Sequence, residues 1–115
     1  MKSRVECLQA LLQYDRPIKD ITTALKSYGW DCEEKLVSLT SNHIRSLLLR
    51  FLAGELAAKD VEVWANATEG RDDIGVEVGH EQFLTDMVFV LANPLLNDEL
   101  TADSAAALLA QLSNH

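Results

Sequence analysis

Few residues in this 115-residue chain have the types and spacing that metal binding or catalysis requires. His80 and Glu81 begin the zinc-binding pattern HExxH, but Leu84 stands where the second histidine is needed. The other two histidines, His43 and His115, leave few donors for a metal site with three protein ligands. We therefore expect neither a metal ion nor a cofactor.

The glycines and cysteines do not form a recognisable site either. Gly70, Gly75 and Gly79 match neither the phosphate-binding pattern GxxxxGK followed by Ser or Thr nor the dinucleotide-binding pattern GxGxxG. Cys7 and Cys32 lack CxxC spacing, so we expect two reduced thiols in a cytosolic protein. No catalytic residue is predicted, and we expect no enzyme. A hydrolase that uses paired carboxylates stays open as an alternative, because acidic residues are plentiful.

The placement of the acidic residues is more informative than any motif. The net charge is −8, and residues 1–71 hold ten acidic residues that cancel all ten Lys and Arg of the chain. Residues 72–115 therefore carry the whole excess, with eight acidic residues and no Lys or Arg. Such a field repels nucleic acid and attracts a basic protein. The alternative is a charged surface that serves solubility.

One cluster combines these acids with a base. Arg71 is the only basic residue after Lys59, and it has acidic neighbours on both sides. One interpretation is that Arg71 pairs with them and fixes the turn after the helix of Trp64, with Trp64 and Ile74 in the core. The other is that surplus carboxylates face a basic partner, and both can hold. The predicted partner-binding residues are Glu69, Asp72, Asp73, Glu77, Glu81 and Asp86.

Helical periodicity dominates the elements that position these residues, and it predicts an all-α or mostly α bundle of about six helices in one domain, 1–115. The clearest apolar stripe runs from Ile44 to Leu52. The segment Lys35 to Leu39 could be a short extended stretch. The helices are predicted over Val5 to Tyr14, from Pro17 to a stop at Gly29, from a cap at Thr40 or Ser41 to Gly54, through Val61 to Thr68, over Glu81 to Leu91, and from a cap at Thr101 to the last turns of the chain.

Hydropathy predicts a protein outside the membrane. No apolar run approaches the roughly 20 residues that a membrane helix needs. The segment Met1 to Cys7 has two basic residues but no apolar run of signal-peptide length. We therefore expect a cytoplasmic protein.

Several strings resemble a known family. They are Leu39-Thr40, Ile44 with Leu48 to Leu56, Val63 to Asn66, Glu69 to Gly75 and Leu91 to Pro94. Across roughly residues 35–105 the chain is similar to small bacterial immunity proteins that accompany the toxins of contact-dependent growth inhibition systems. The strings WAN, EGRDDI and LANP are the most specific parts of this resemblance.

The resemblance implies a cytoplasmic protein that binds the C-terminal toxin domain delivered by sibling cells and covers its active or substrate-binding surface. Many such toxins are basic nucleases, so an acidic inhibitor would imitate the charge of the nucleic acid. The resemblance carries over no catalytic residue and no residue-level interface. The alternative function is a non-catalytic adaptor or regulatory module of an unrelated system.

Overall fold

The structure is a computed structural model that describes residues 4–28, 35–69, 71, 73–94 and 99–113. Within these ranges the chain forms six α-helices, one turn of 3₁₀-helix and two short strands, so the prediction of a mostly helical fold with about six helices is confirmed. In chain order they are α1 (Arg4–Gln13), α2 (Ile18–Leu25), the 3₁₀ turn (Lys26–Tyr28), β1 (Val37–Leu39), α3 (Ser41–Leu52), α4 (Ala58–Thr68), β2 (Ile74–Val76), α5 (Glu81–Ala92) and α6 (Ala102–Ser113).

The core is centred on α4. Trp64 is fully buried, and its neighbours on the same helical face, Val61, Ala65 and Thr68, are buried too, as their spacing predicts. The indole N–H of Trp64 donates to the Leu11 carbonyl at 2.7 Å, so the ring is packed without leaving its polar atom unpaired. This bond fixes α4 against the last turn of α1, and the buried side chains of all six helices join one apolar cluster.

Helix α3 begins where its predicted cap lies. Thr40 is the N-cap residue in extended conformation, and the side chain of His43 accepts the Thr40 backbone N–H at 3.0 Å. Ile44, Leu47 and Leu48 are buried, as the apolar stripe predicts. The end of the stripe is less buried than expected, because the side chain of Leu52 is 41% exposed.

The end of α1 shows a feature that the sequence does not signal. Tyr14 adopts a left-handed conformation (φ 49°), a position where glycine is the usual residue. The Tyr14 and Asp15 N–H groups donate to the carbonyls of Leu11 and Ala10, which closes the helix. Arg50 of α3 then donates to the Tyr14 carbonyl at 2.8 Å and lies over the Tyr14 ring. A long-range contact thus holds a strained helix end.

The two strands form a parallel pair. Val37 is aligned with Ile74 and Leu39 with Val76, and α3 and α4 make the crossover between them. The predicted extended stretch at 35–39 is therefore confirmed in β1. The second strand was not predicted, since the sequence indicated only a turn after the helix of Trp64. Helix α2 was predicted to start at Pro17. It begins at Ile18, and Pro17 is its N-cap residue.

No helix in the described ranges is long and apolar enough to cross a bilayer. The predicted helix stop at Gly29 lies outside the described residues.

Candidate functional site

The turn before β2 brings three charged side chains together. Arg71 donates through Nε to Asp73 Oδ1 at 2.9 Å and through Nη2 to Asp73 Oδ2 at 3.0 Å. From the start of α1, Arg4 donates through Nε to the same Oδ2 at 2.9 Å. The Asp73 side chain has no exposed surface, and only 4% of the Arg71 side chain is exposed. The predicted pairing of Arg71 with a neighbouring acid is confirmed.

This burial decides the role of Asp73. Burial by itself raises the pKa of the carboxyl group, but the hydrogen bonds and charges of Arg71 and Arg4 outweigh it and hold the pKa below its ordinary value. Asp73 is therefore an ionised, fully enclosed group that joins α1 to β2. Its assignment to a partner-binding surface is wrong, because Arg71 and Arg4 draw its carboxylate into the protein.

Glu77 is committed to the fold as well. It follows β2, is half-buried, and accepts the Ser41 backbone N–H through Oε1 at 3.0 Å. A carboxylate at the first turn of α3 is favoured by the unpaired N–H groups there. Burial lowers the pKa of the neighbouring His43, and the charge of Glu77 partly opposes that shift. The predicted outward presentation of Glu77 is thus limited by its role as a helix cap.

Three of the predicted acids do face solvent. Glu69 ends α4 and is exposed. Glu81 opens α5, where its own N–H and that of Gly79 lower the pKa of its carboxyl group. Asp86 lies about one and a half turns further on and accepts the Gln82 amide at 2.7 Å. Asp72, the remaining predicted residue, lies outside the described residues.

Two further exposed acids were not among the residues predicted from the sequence. Glu99 precedes α6, Asp103 lies in its first turn, and both are exposed. The sequence could have indicated them, because they belong to the segment without Lys or Arg. They were left out because they lie far along the chain from Arg71. We refer to Glu81, Asp86, Glu99 and Asp103 as the C-terminal carboxylates.

A groove of about 740 Å³ lies between α4, α5 and α6. Its walls are mainly apolar, and Lys59, Glu62, Glu99 and Ser104 supply its polar groups. The apolar lining residues are Ala58, Val61, Val90, Leu91, Pro94, Leu100, Ala107 and Leu108. Val61, Leu91 and Leu108 have the helical spacing of buried residues, and nothing in that spacing distinguishes a groove wall from a filled interior.

The described residues offer little for chemistry. Among them, no three His, Cys, Asp or Glu side chains gather in a way that could hold a metal ion. Cys7 is buried in the apolar cluster as a free thiol. Comparison of the chain with protein-family models, with curated proteins and with solved structures finds no match in any of the three.

Proposed function

We propose that the chain is an immunity protein, which binds a basic toxin domain of a contact-dependent growth inhibition system and neutralises it by covering its active or substrate-binding surface. One observation carries the proposal. The C-terminal carboxylates are exposed on a segment, residues 72–115, that contains no Lys or Arg to neutralise them. The family resemblance described above supplies the class of partner.

The electrostatics suit such a partner. A field of one sign accelerates encounter with a basic surface, and the acceleration falls as salt screens it over about 8–10 Å. Exposed pairs contribute little affinity each, typically 0.2–1 kcal/mol, so several carboxylates have to act together. Inhibition by occlusion needs a tight complex and no catalytic group. Charge would then set the rate and orientation of encounter, and apolar contacts would set the lifetime of the complex.

The test is co-expression with the C-terminal toxin domain encoded next to the gene of this chain. Growth rescue, together with a one-to-one complex that weakens between about 50 and 500 mM salt, is expected. A toxic domain that is neither bound nor neutralised would overturn the proposal and favour the non-catalytic adaptor.

A matched pair of variants locates the charge effect. Asp86→Lys combined with Glu99→Lys alters two of the exposed C-terminal carboxylates, one in α5 and one before α6, and we expect the association rate at low salt to fall about tenfold. Asp15→Lys combined with Asp20→Lys makes the same change in net charge at exposed sites before and within α2. If both pairs slow association equally, only the overall charge matters and no local acidic surface is involved.

A further inference from the structure

We propose that the groove between α4, α5 and α6 is the anchor site for the basic partner, and that it receives a large apolar side chain flanked by Lys or Arg. This inference rests on the proposed function and deepens it. The exposed carboxylates explain attraction, whereas the groove supplies the apolar contact that a long-lived complex needs.

The interior of the groove is suited to an apolar group. Val61 is 1% exposed and Leu91 is 5% exposed, so its deepest walls are core residues of α4 and α5. Ala58 and Ala107 line it with side chains too small to fill the space between the helices. Its volume of about 740 Å³ falls within the range of roughly 300–1,000 Å³ that is typical of ligand sites.

Charge at the mouth selects the occupant. Lys59 Nζ lies 3.0 Å from Glu62 Oε2, so these two charges neutralise one another. Glu99 is exposed, and within the described residues no basic group forms an ion pair with it. The described charged residues of the lining therefore sum to one negative charge, and the α5 and α6 walls belong to a segment without Lys or Arg. An apolar side chain with a neighbouring cation complements this arrangement.

The same features argue against other occupants. A second copy of the chain would bring another net charge of −8 to an acidic surface, which opposes self-association. A small molecule would leave the exposed apolar side chains of the helices that line the groove in water. Val63 of α4 is 38% exposed, and Phe89 of α5 is 47% exposed. A protein partner can cover these side chains together with the groove.

The test compares two tryptophan substitutions on adjacent residues of α6. Ala107 lines the groove, whereas Ala106 is equally small and exposed but is not part of its lining. Affinity for a catalytically inactive form of the toxin domain encoded next to the gene is measured by calorimetry, and dissociation is followed separately. We expect Ala107→Trp to weaken binding at least tenfold through faster dissociation, with an unchanged melting temperature. Ala106→Trp should stay within about twofold of the parent chain.

The other outcomes are distinct. If the parent chain binds and Ala107→Trp binds equally well, or if both variants lose affinity equally, the groove inference is wrong and the proposed function stands. If Ala107→Trp lowers the melting temperature by more than about 10 °C, the groove is filled in the free protein and the inference is also wrong. If the parent chain does not bind the toxin domain, both the groove inference and the proposed function fail.

Discussion

Replacing Asp73 by asparagine tests the buried charge network most directly. The substitution keeps the shape of the side chain but removes the carboxylate that Arg71 and Arg4 share. Removing one partner from a buried ion pair typically costs about 3–5 kcal/mol, because the remaining charge stays enclosed. The Arg4 side chain is 18% exposed and can turn towards water, so we expect the lower end, about 3 kcal/mol.

The corresponding change in melting temperature is large. With an unfolding entropy of about 2.1 cal/mol/K per residue, 115 residues give roughly 0.24 kcal/mol/K, so the Asp73→Asn variant should melt about 12 °C lower. Urea unfolding followed by circular dichroism measures the free energy directly. Asp86→Asn is the control, since that exposed carboxylate accepts only the Gln82 amide, and its cost should stay below about 0.5 kcal/mol.

The pH dependence supplies an independent check. The pKa of Asp73 is lower in the folded protein than in the unfolded chain, so in acid the unfolded chain binds more protons. Its stabilisation is complete above the unfolded value of about 3.9 and is lost as the pH falls towards the folded value. The difference between the parent chain and Asp73→Asn should therefore shrink in acid. A cost below about 1 kcal/mol at pH 7 would refute the stabilising role of the network.

The remaining predictions concern a helix cap and the core. Burial lowers the pKa of His43, whose Nδ1 accepts the Thr40 N–H, so the parent chain should lose stability as the pH falls from about 6.5 towards the folded pKa. The His43→Gln variant should lose this dependence in urea titrations at pH 7.5 and 5.5, and an unchanged slope would contradict the assignment. Trp64→Phe removes the indole donor from the buried Leu11 carbonyl, which keeps the Tyr14 N–H, and leaves a space beside it, so the free energy of unfolding should fall by about 2–3 kcal/mol; a fall below about 1 kcal/mol would show that the bond is replaceable.

The helices could be predicted because their signals are local. The burial of Ile44, Leu47 and Leu48 follows from spacing along a single helix, and the cap at Thr40 lies immediately before it. Strand β2 could not be predicted in this way. It has three residues, too few to show alternation, and its partner Val37 is aligned with Ile74 across the whole α3–α4 crossover.

The charged cluster at Asp73 could be predicted only in part, because one of its contacts joins residues that are far apart in sequence. Arg71 was expected to pair with a neighbouring acid, and Asp73 is that acid, two residues along the chain. Arg4 is separated from Asp73 by 69 residues, and its approach depends on the packing of α1 against the sheet. Because two guanidinium groups enclose one carboxylate, Arg71 and Asp73 are buried more completely than their polarity indicates.

The carboxylates of the second half of the chain thus fall into two groups: some stabilise the fold, and others are exposed to solvent. Asp73 is enclosed by two arginines and Glu77 caps α3, so neither presents its full charge to a partner. Glu99 and Asp103 are exposed, although they lie far from Arg71 in sequence. Proximity to Arg71 along the chain therefore does not predict availability, since Asp73 is buried with Arg71 whereas Glu69, at the same separation in sequence, is exposed. Exposure, rather than sequence proximity, identifies the acids that a basic partner can reach.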